Sequence, residues 1–232
     1  MRPNKLPTDP LFSVSIDPNS KQINPALSIW NAAHKCVEPN PGRIETFKEG
    51  FDPVQSIIDN CLKFGHWDVL NHASIKVDFD NFPHDTTMQY RTHRQVSCLV
   101  QSLRYSDEHY SSCARGEIEP ERLFYFPLTS NNHKQIANRA KARRSCEDYL
   151  NAINEGEDKE VARRYLLAGY RQHFTISATF AQWFHIFDRR LLADAQKEAQ
   201  VAGWMALEEL KKYSAFFEWY EIHRAGRNKL SP

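Results

Sequence analysis

The sequence predicts a single-domain α+β fold, on three observations. Helical and strand-like segments intermix along the 232 residues without the alternation of a βαβ chain. Neither GxGxxG nor GxxxxGK[ST] occurs, which argues against a doubly wound nucleotide-binding sheet. The length suits one domain, and an apolar fraction of 41% is enough to build a packed core.

Residues 1–23 carry four prolines and little periodicity, and they read as an extended N-terminal arm ahead of a domain at 24–232. Pro25 opens a helix with Leu27, Trp30, Ala33 and His34 at helical spacing. A second helix has Asp52 as its cap and Pro53 at its first position. Val54, Ile57, Ile58, Cys61 and Leu62 form its apolar face, and Gly65 is its stop. Ile75, Val77 and Phe79 alternate within 73–79, as in a half-buried strand. Residues 86–105 mix helical spacing with charge, and 121–128 reads as a strand ended by Pro127. An exposed helix spans 132–154, another spans 160–167, and 171–178 is a short strand. The stretch 180–224 is helical and holds Phe216, Phe217, Trp219 and Tyr220, which suit a core or a subunit contact.

Charge and cysteine content narrow the function. Thirty basic residues against twenty-nine acidic ones leave +1, so any anion site is local, and no basic stripe points to nucleic acid. Cys36, Cys61, Cys98, Cys113 and Cys146 are widely spaced, with no CxxC pair, and read as reduced packing residues rather than a disulfide frame or metal site. No apolar run reaches the ~20 residues of a membrane span. The polar, proline-rich start is unlike a secretory leader, so a soluble cytoplasmic protein is expected.

The segment QYRTHRQVSCLVQSLRY (89–105) concentrates Arg91, His93, Arg94, Ser97, Ser102 and Arg104. Guanidinium forks beside hydroxyls suit a phosphate, because they combine planar bidentate donors with neutral ones. A solvated basic face, or salt bridges between subunits, would use the same residues.

The spacing adds a resemblance. Thr92-His93-Arg94, seven residues, then Ser102 before Leu103-Arg104-Tyr105, is similar to the signature of flavin-dependent thymidylate synthases. Gly65-His66, Val69-Leu70 and Asn71-His72 resemble that family's GHxSxxEH element, and Ala162-Arg163 with Leu166 resembles its ARxxLP segment. TFAQWFHIFDRRLLADAQKEAQ (179–200) resembles NARSLMxFLxLRxxxxAQxEIx, and the ending EWYEIHRAGRNKLSP looks like that of some members. The elements are collinear over 65–198.

The resemblance implies helices mixed with an antiparallel sheet. It also implies transfer of a methylene from methylenetetrahydrofolate to C5 of dUMP, with hydride from reduced FAD and electrons from NADPH, in a homotetramer with shared active sites and no cysteine nucleophile. By position, Gln89, Ser102, Arg104, Arg163 and Arg190 would hold dUMP. Of these, Arg104 and Arg163 would meet phosphate, and Arg190 is the catalytic candidate facing a pyrimidine carbonyl. Thr92, His93 and Arg94, with His66, His72, Thr179 and His185, would lie along the flavin and folate. The pattern also departs from the family. Thr92 stands for Arg, Asn71 for Glu, Leu167 for Pro and Val100 for an acid, and Thr179-Phe180-Ala181 stands for NAR. The last change removes an amide and a guanidinium from the flavin side. An altered-specificity relative, one that hydroxymethylates C5, or a non-catalytic nucleotide-binding subunit would share this pattern.

Overall fold

The computed structural model describes residues 6, 8–22, 24–40, 42–105, 108–127 and 131–226. Its centre is an antiparallel pair, β2 (Ser74–Pro83) and β4 (Arg171–Thr179), in register at Val77↔Ile176 and Ser74↔Thr179. Ile75, Val77 and Phe79 point inward with Phe174, Ile176 and Ala178, while Lys76, Asp78, Thr175 and Ser177 stay half-exposed on the other face. This is the alternation read in the sequence. β1 (Ser13–Ile16) adds to β2 and β3 (Ser97–Val100) to β4, giving the order β1-β2-β4-β3. The middle of the segment read as an arm is thus an edge of the sheet. Its residues 1–5, 7 and 23, the end of the 121–128 reading and the ending 227–232 lie outside the described residues.

Helices α1 (Pro25–Val37) and α2 (Pro53–Asn60) start where their signals stand, with Asn24 and Asp52 side chains accepting from Leu27 and Gln55 amides at 3.0 Å each. After a 3-10 turn, Gly65 takes φ 82°, the left-handed turn that glycine adopts without strain. α3 (His84–Arg91) follows β2, but the helical reading of 86–105 does not continue beyond it. Gln95 turns the chain at φ 62°, and 97–100 becomes β3, whose backbone groups are satisfied by the open edge of β4.

The strand read at 121–128 is instead the one-turn helix α5 (Pro120–Leu123) and an isolated bridge from Phe124 to Tyr170. Pro120 suits a first helical turn, which the apolar run that follows concealed. α4 (Glu108–Ala114) packs on α6 (Asn132–Asn154), which has the bounds read from sequence but buries Ala142, Cys146, Tyr149 and Ala152 in a second core. α7 (Lys159–Ala162) passes into a 3-10 turn at Arg163–Tyr165, shorter than the helix expected over 160–167.

The long C-terminal helical stretch divides into α8 (Phe180–Arg190), α9 (Lys197–Tyr213) and α10 (Ala215–His223). Trp183, Phe187, Trp204, Phe216, Phe217 and Tyr220 are fully buried there, so of the C-terminal aromatics Phe216, Phe217 and Tyr220 are core, and Trp219 packs half-buried against it. Each fully buried ring contributes roughly 2–3 kcal/mol by leaving water.

The antiparallel pair has a geometric consequence. α3 starts from the end of β2 that lies beside Arg171, and α8 starts from the end of β4 that lies beside Ser74. Both pack on α9. They therefore run toward each other from opposite ends of a strand pair roughly 28 Å long. At roughly 12 and 16 Å, their lengths bring the two helix C-termini together.

The N-terminal segment is fixed by Arg171. Its guanidinium donates to Asp9 Oδ2 at 2.7 Å, Asn81 O at 3.0 Å and Glu121 O at 3.1 Å, and lies over the rings of Phe12 and Tyr125. The Arg171 and Asp9 side chains are only 6% and 10% exposed. Asp9→Ala, which leaves that charge buried and without its counter-ion, is expected to cost about 3 kcal/mol in denaturant unfolding. A loss below about 1 kcal/mol would show that the pair does not hold the segment.

Candidate active site

The meeting of α3 and α8 is organised by Arg190, half-buried in the last turn of α8. Its Nε donates to His93 Nε2 at 2.9 Å, and its Nη1 donates to Gln89 Oε1 at 2.8 Å. Nη2 donates to the Gln89 carbonyl and to Thr92 Oγ1, the latter at 3.1 Å. Four of the five N–H donors of a guanidinium are thereby used, and one on Nη1 is left. Every acceptor is neutral, and among the described residues Arg190 makes no ion pair. Burial lowers its pKa from the ordinary value, with Arg189 acting in the same direction. The negative ends of two helix dipoles oppose that trend, each equivalent to roughly half a charge.

His93 is buried, and that burial, reinforced by Arg190, His185 and Arg189, pushes its pKa down to about 3. Because Nε2 accepts from Arg190, the hydrogen-bond network assigns the ring proton to Nδ1. Beneath it, Tyr90 donates to the Ala199 carbonyl at 2.9 Å and places its ring 6.0 Å from the Arg190 guanidinium carbon. Gly203 permits this packing. A Cβ there would lie 2.9 Å from Leu191 Cδ2 and 3.1 Å from the Tyr90 hydroxyl.

These groups wall a cavity of about 680 Å³. Gln89, Thr92, His93 and Arg94 come from α3 and the turn after it, and His185, Arg189 and Arg190 from α8; Asp194 is the carboxylate among the described lining residues. A smaller depression of about 360 Å³ shares Arg94 and His185 and adds Trp67, Asn71, Ala181 and Phe184. Its aromatic wall is braced from behind. Arg224 sits 4.6 Å over Trp67 and donates to the buried Asp188 at 2.7 Å, and Asp188 also accepts from Tyr220. Together the two spaces offer cationic donors and flat apolar walls, a donor set that fits a phosphorylated aromatic ligand.

Of the residues singled out in the sequence, Gln89, Thr92, His93, Arg94, His185 and Arg190 converge on the larger cavity. Others do not. Arg104 lines a separate hollow with Glu160, its nearest ion partner at 3.5 Å, and Ser102 is exposed beside it. Arg163, His66 and His72 are exposed and line neither space around Arg190. Thr179 is occupied. Its Oγ1 caps α8 by accepting from the Gln182 amide at 3.3 Å, in a capping box, and donates to Asn71 Oδ1 at 2.8 Å. Two departures from the family pattern thus hydrogen-bond to each other. Tyr90, Arg189, Asp194 and Gly203 were not singled out in the sequence. A glycine in the middle of an apolar helix is a usable signal of close packing, whereas Arg189 has no local signature.

Comparison with known proteins gives this geometry a family. The model described as thymidylate synthase complementing protein matches residues 20–214, and the chain belongs to that family. A flavin-dependent thymidylate synthase of Pyrococcus abyssi is 25% identical over 163 residues, 69% of this chain. The match covers 64% of that relative, so less than two thirds of its length is represented. The fold is shared with thymidylate synthase X from Helicobacter pylori, solved with FAD and dUMP, at TM-score 0.70 and 16% identity over 89% of this chain and 96% of that one. It is also shared with PolB of Streptomyces cacaoi, a UMP/dUMP methylase bound with 5-Br dUMP, at TM-score 0.74 and 17% identity over 98% and 100% of the two chains.

The state of His93 has a pH signature. Its folded pKa lies below the roughly 6.5 of an unfolded histidine, so the unfolded chain binds the extra proton first and stability falls as pH drops from there toward 3. Between pH 6.5 and 5 the wild type should lose about 1.6 kcal/mol through this residue. His93→Gln, which keeps an acceptor without the titration, should be flatter by that amount in denaturant unfolding at the two pH values. Equal acid sensitivity of both proteins would contradict a neutral, buried His93.

Proposed function

We propose that this family member is a flavin-dependent thymidylate synthase, converting dUMP to dTMP with methylenetetrahydrofolate, reduced FAD and NADPH. The observation that carries the reading is Arg190, a charged guanidinium with neutral acceptors on four donors and one N–H left over. A single donor does not clamp a phosphate, which is best met by a fork. It suits one oxygen, such as a pyrimidine carbonyl. When C5 of the ring attacks a one-carbon unit, negative charge develops on a carbonyl oxygen, and a preorganised cation there lowers the barrier. Gln89, Thr92 and His93 hold the guanidinium in place, so little reorganisation accompanies the reaction. Among the described residues no cysteine lines the cavity, which agrees with electrophilic rather than covalent activation of the ring.

FAD, when bound, supplies the hydride. Arg94 and His185 would meet it between the two spaces, with Trp67 and Phe184 as the wall for its ring. Ser102, Arg104 and Arg163, proposed for the dUMP phosphate, stand apart from Arg190 within one chain. That separation favours a homotetramer in which a neighbouring copy supplies them. A second reading is C5 modification of UMP as well as dUMP. It is favoured by the likeness to PolB over nearly the whole of both chains and by the remodelled Asn71–Thr179 pair.

The purified protein is expected to be yellow, to run as a tetramer in light scattering, and to rescue growth of a thymidine-requiring strain. Arg190→Lys, which keeps charge but loses the fork that the four acceptors hold, should lower kcat on dUMP by about a hundredfold with little change in KM. Turnover of UMP at a comparable rate would select the second reading. A colourless protein that binds dUMP without turnover would replace both with a non-catalytic nucleotide-binding role.

A further inference from the structure

We propose that Arg189 is an anion-binding residue, holding a phosphate group of the nucleotide ligand in the larger cavity. The inference rests on the nucleotide reading above, and its test separates the two. Arg189 lies in the last turn of α8, one turn beyond His185 and next to Arg190, and its exposed side chain lines the cavity with Arg94. Unlike Arg190, it makes no side-chain hydrogen bond or ion pair among the described residues, so its planar fork is available for bidentate contact. The one carboxylate among the described lining residues, Asp194, is not within ion-pair distance of it.

The electrostatics favour an anion at this place. Arg189 disfavours the protonated forms of both His93 and Arg190, so like charges are crowded here with little to offset them. Arg189 and Arg94 thus bring two guanidinium groups to the larger cavity beside Arg190.

An arginine that merely complements the C-terminal pole of α8 would affect melting and leave ligand affinity alone. The test is calorimetric titration of wild type, Arg189→Leu and Arg189→Lys with two matched pairs, dUMP with deoxyuridine and FAD with riboflavin, alongside melting curves. Arg189→Leu should bind the phosphorylated member of one pair about tenfold more weakly and its unphosphorylated partner unchanged, with Arg189→Lys in between. The pair that responds identifies the source of the phosphate. Wild-type affinity of Arg189→Leu for both dUMP and FAD would overturn the proposal, as would equal losses for both members of a pair. If the wild type binds neither nucleotide, the nucleotide reading fails. Inorganic pyrophosphate then decides for Arg189, with weaker binding by Arg189→Leu expected and equal binding overturning the assignment.

Discussion

A guanidinium held between two helix ends by neutral acceptors alone is the constraint on which the rest of the site depends. A carboxylate in the same place would stabilise Arg190 more simply but would also neutralise it, and a neutralised pair has little left for a developing oxyanion. The chain instead supplies backbone and side-chain oxygens and a histidine nitrogen. That arrangement needs α3 and α8 to end at one point. The antiparallel register of β2 and β4 sets where each helix starts, and their lengths set where each stops. α9 then presses on both, at a distance that Gly203 allows and a side chain would not. The buried aromatic core behind α8 and α10 makes this geometry stiff.

Much of the scaffold was legible because it follows local rules. Asp52-Pro53 and Gly65 mark a helix by capping chemistry, and the alternation of Ile75, Val77 and Phe79 marks a strand by burial. The segments that misled are those decided elsewhere in the chain. Residues 97–100 become a strand because β4 offers an unpaired edge, and a four-residue helix at Pro120 is too short to show a period. Breaks in the 180–224 helical stretch follow from packing α9 on the sheet and α10 on α9, and the apolar spacing runs through them.

The site was legible in part for the same reason. Collinear spacing located Arg190, Gln89, Thr92 and His93, and the structure joins them by hydrogen bonds across about a hundred residues of sequence. It gave no measure of distance between that group and Ser102, Arg104 or Arg163, since a linear motif does not say whether its parts meet within one chain. Thr179 shows another limit. As a departure it read as a lost flavin contact, yet its hydroxyl caps α8 and pairs with Asn71, so the position has a structural use of its own. Arg189, whose surroundings are set by tertiary structure, could not be distinguished from an ordinary exposed helix arginine.

The measurement that bears most directly on the account is a crystal structure of the protein with dUMP. The expected result is one pyrimidine oxygen at ~3 Å from Arg190 Nη1, with the bonds to Gln89, Thr92 and His93 intact and the phosphate on other cations. A phosphate held bidentately by Arg190, or a guanidinium that has left its four acceptors to reach the ligand, would contradict it.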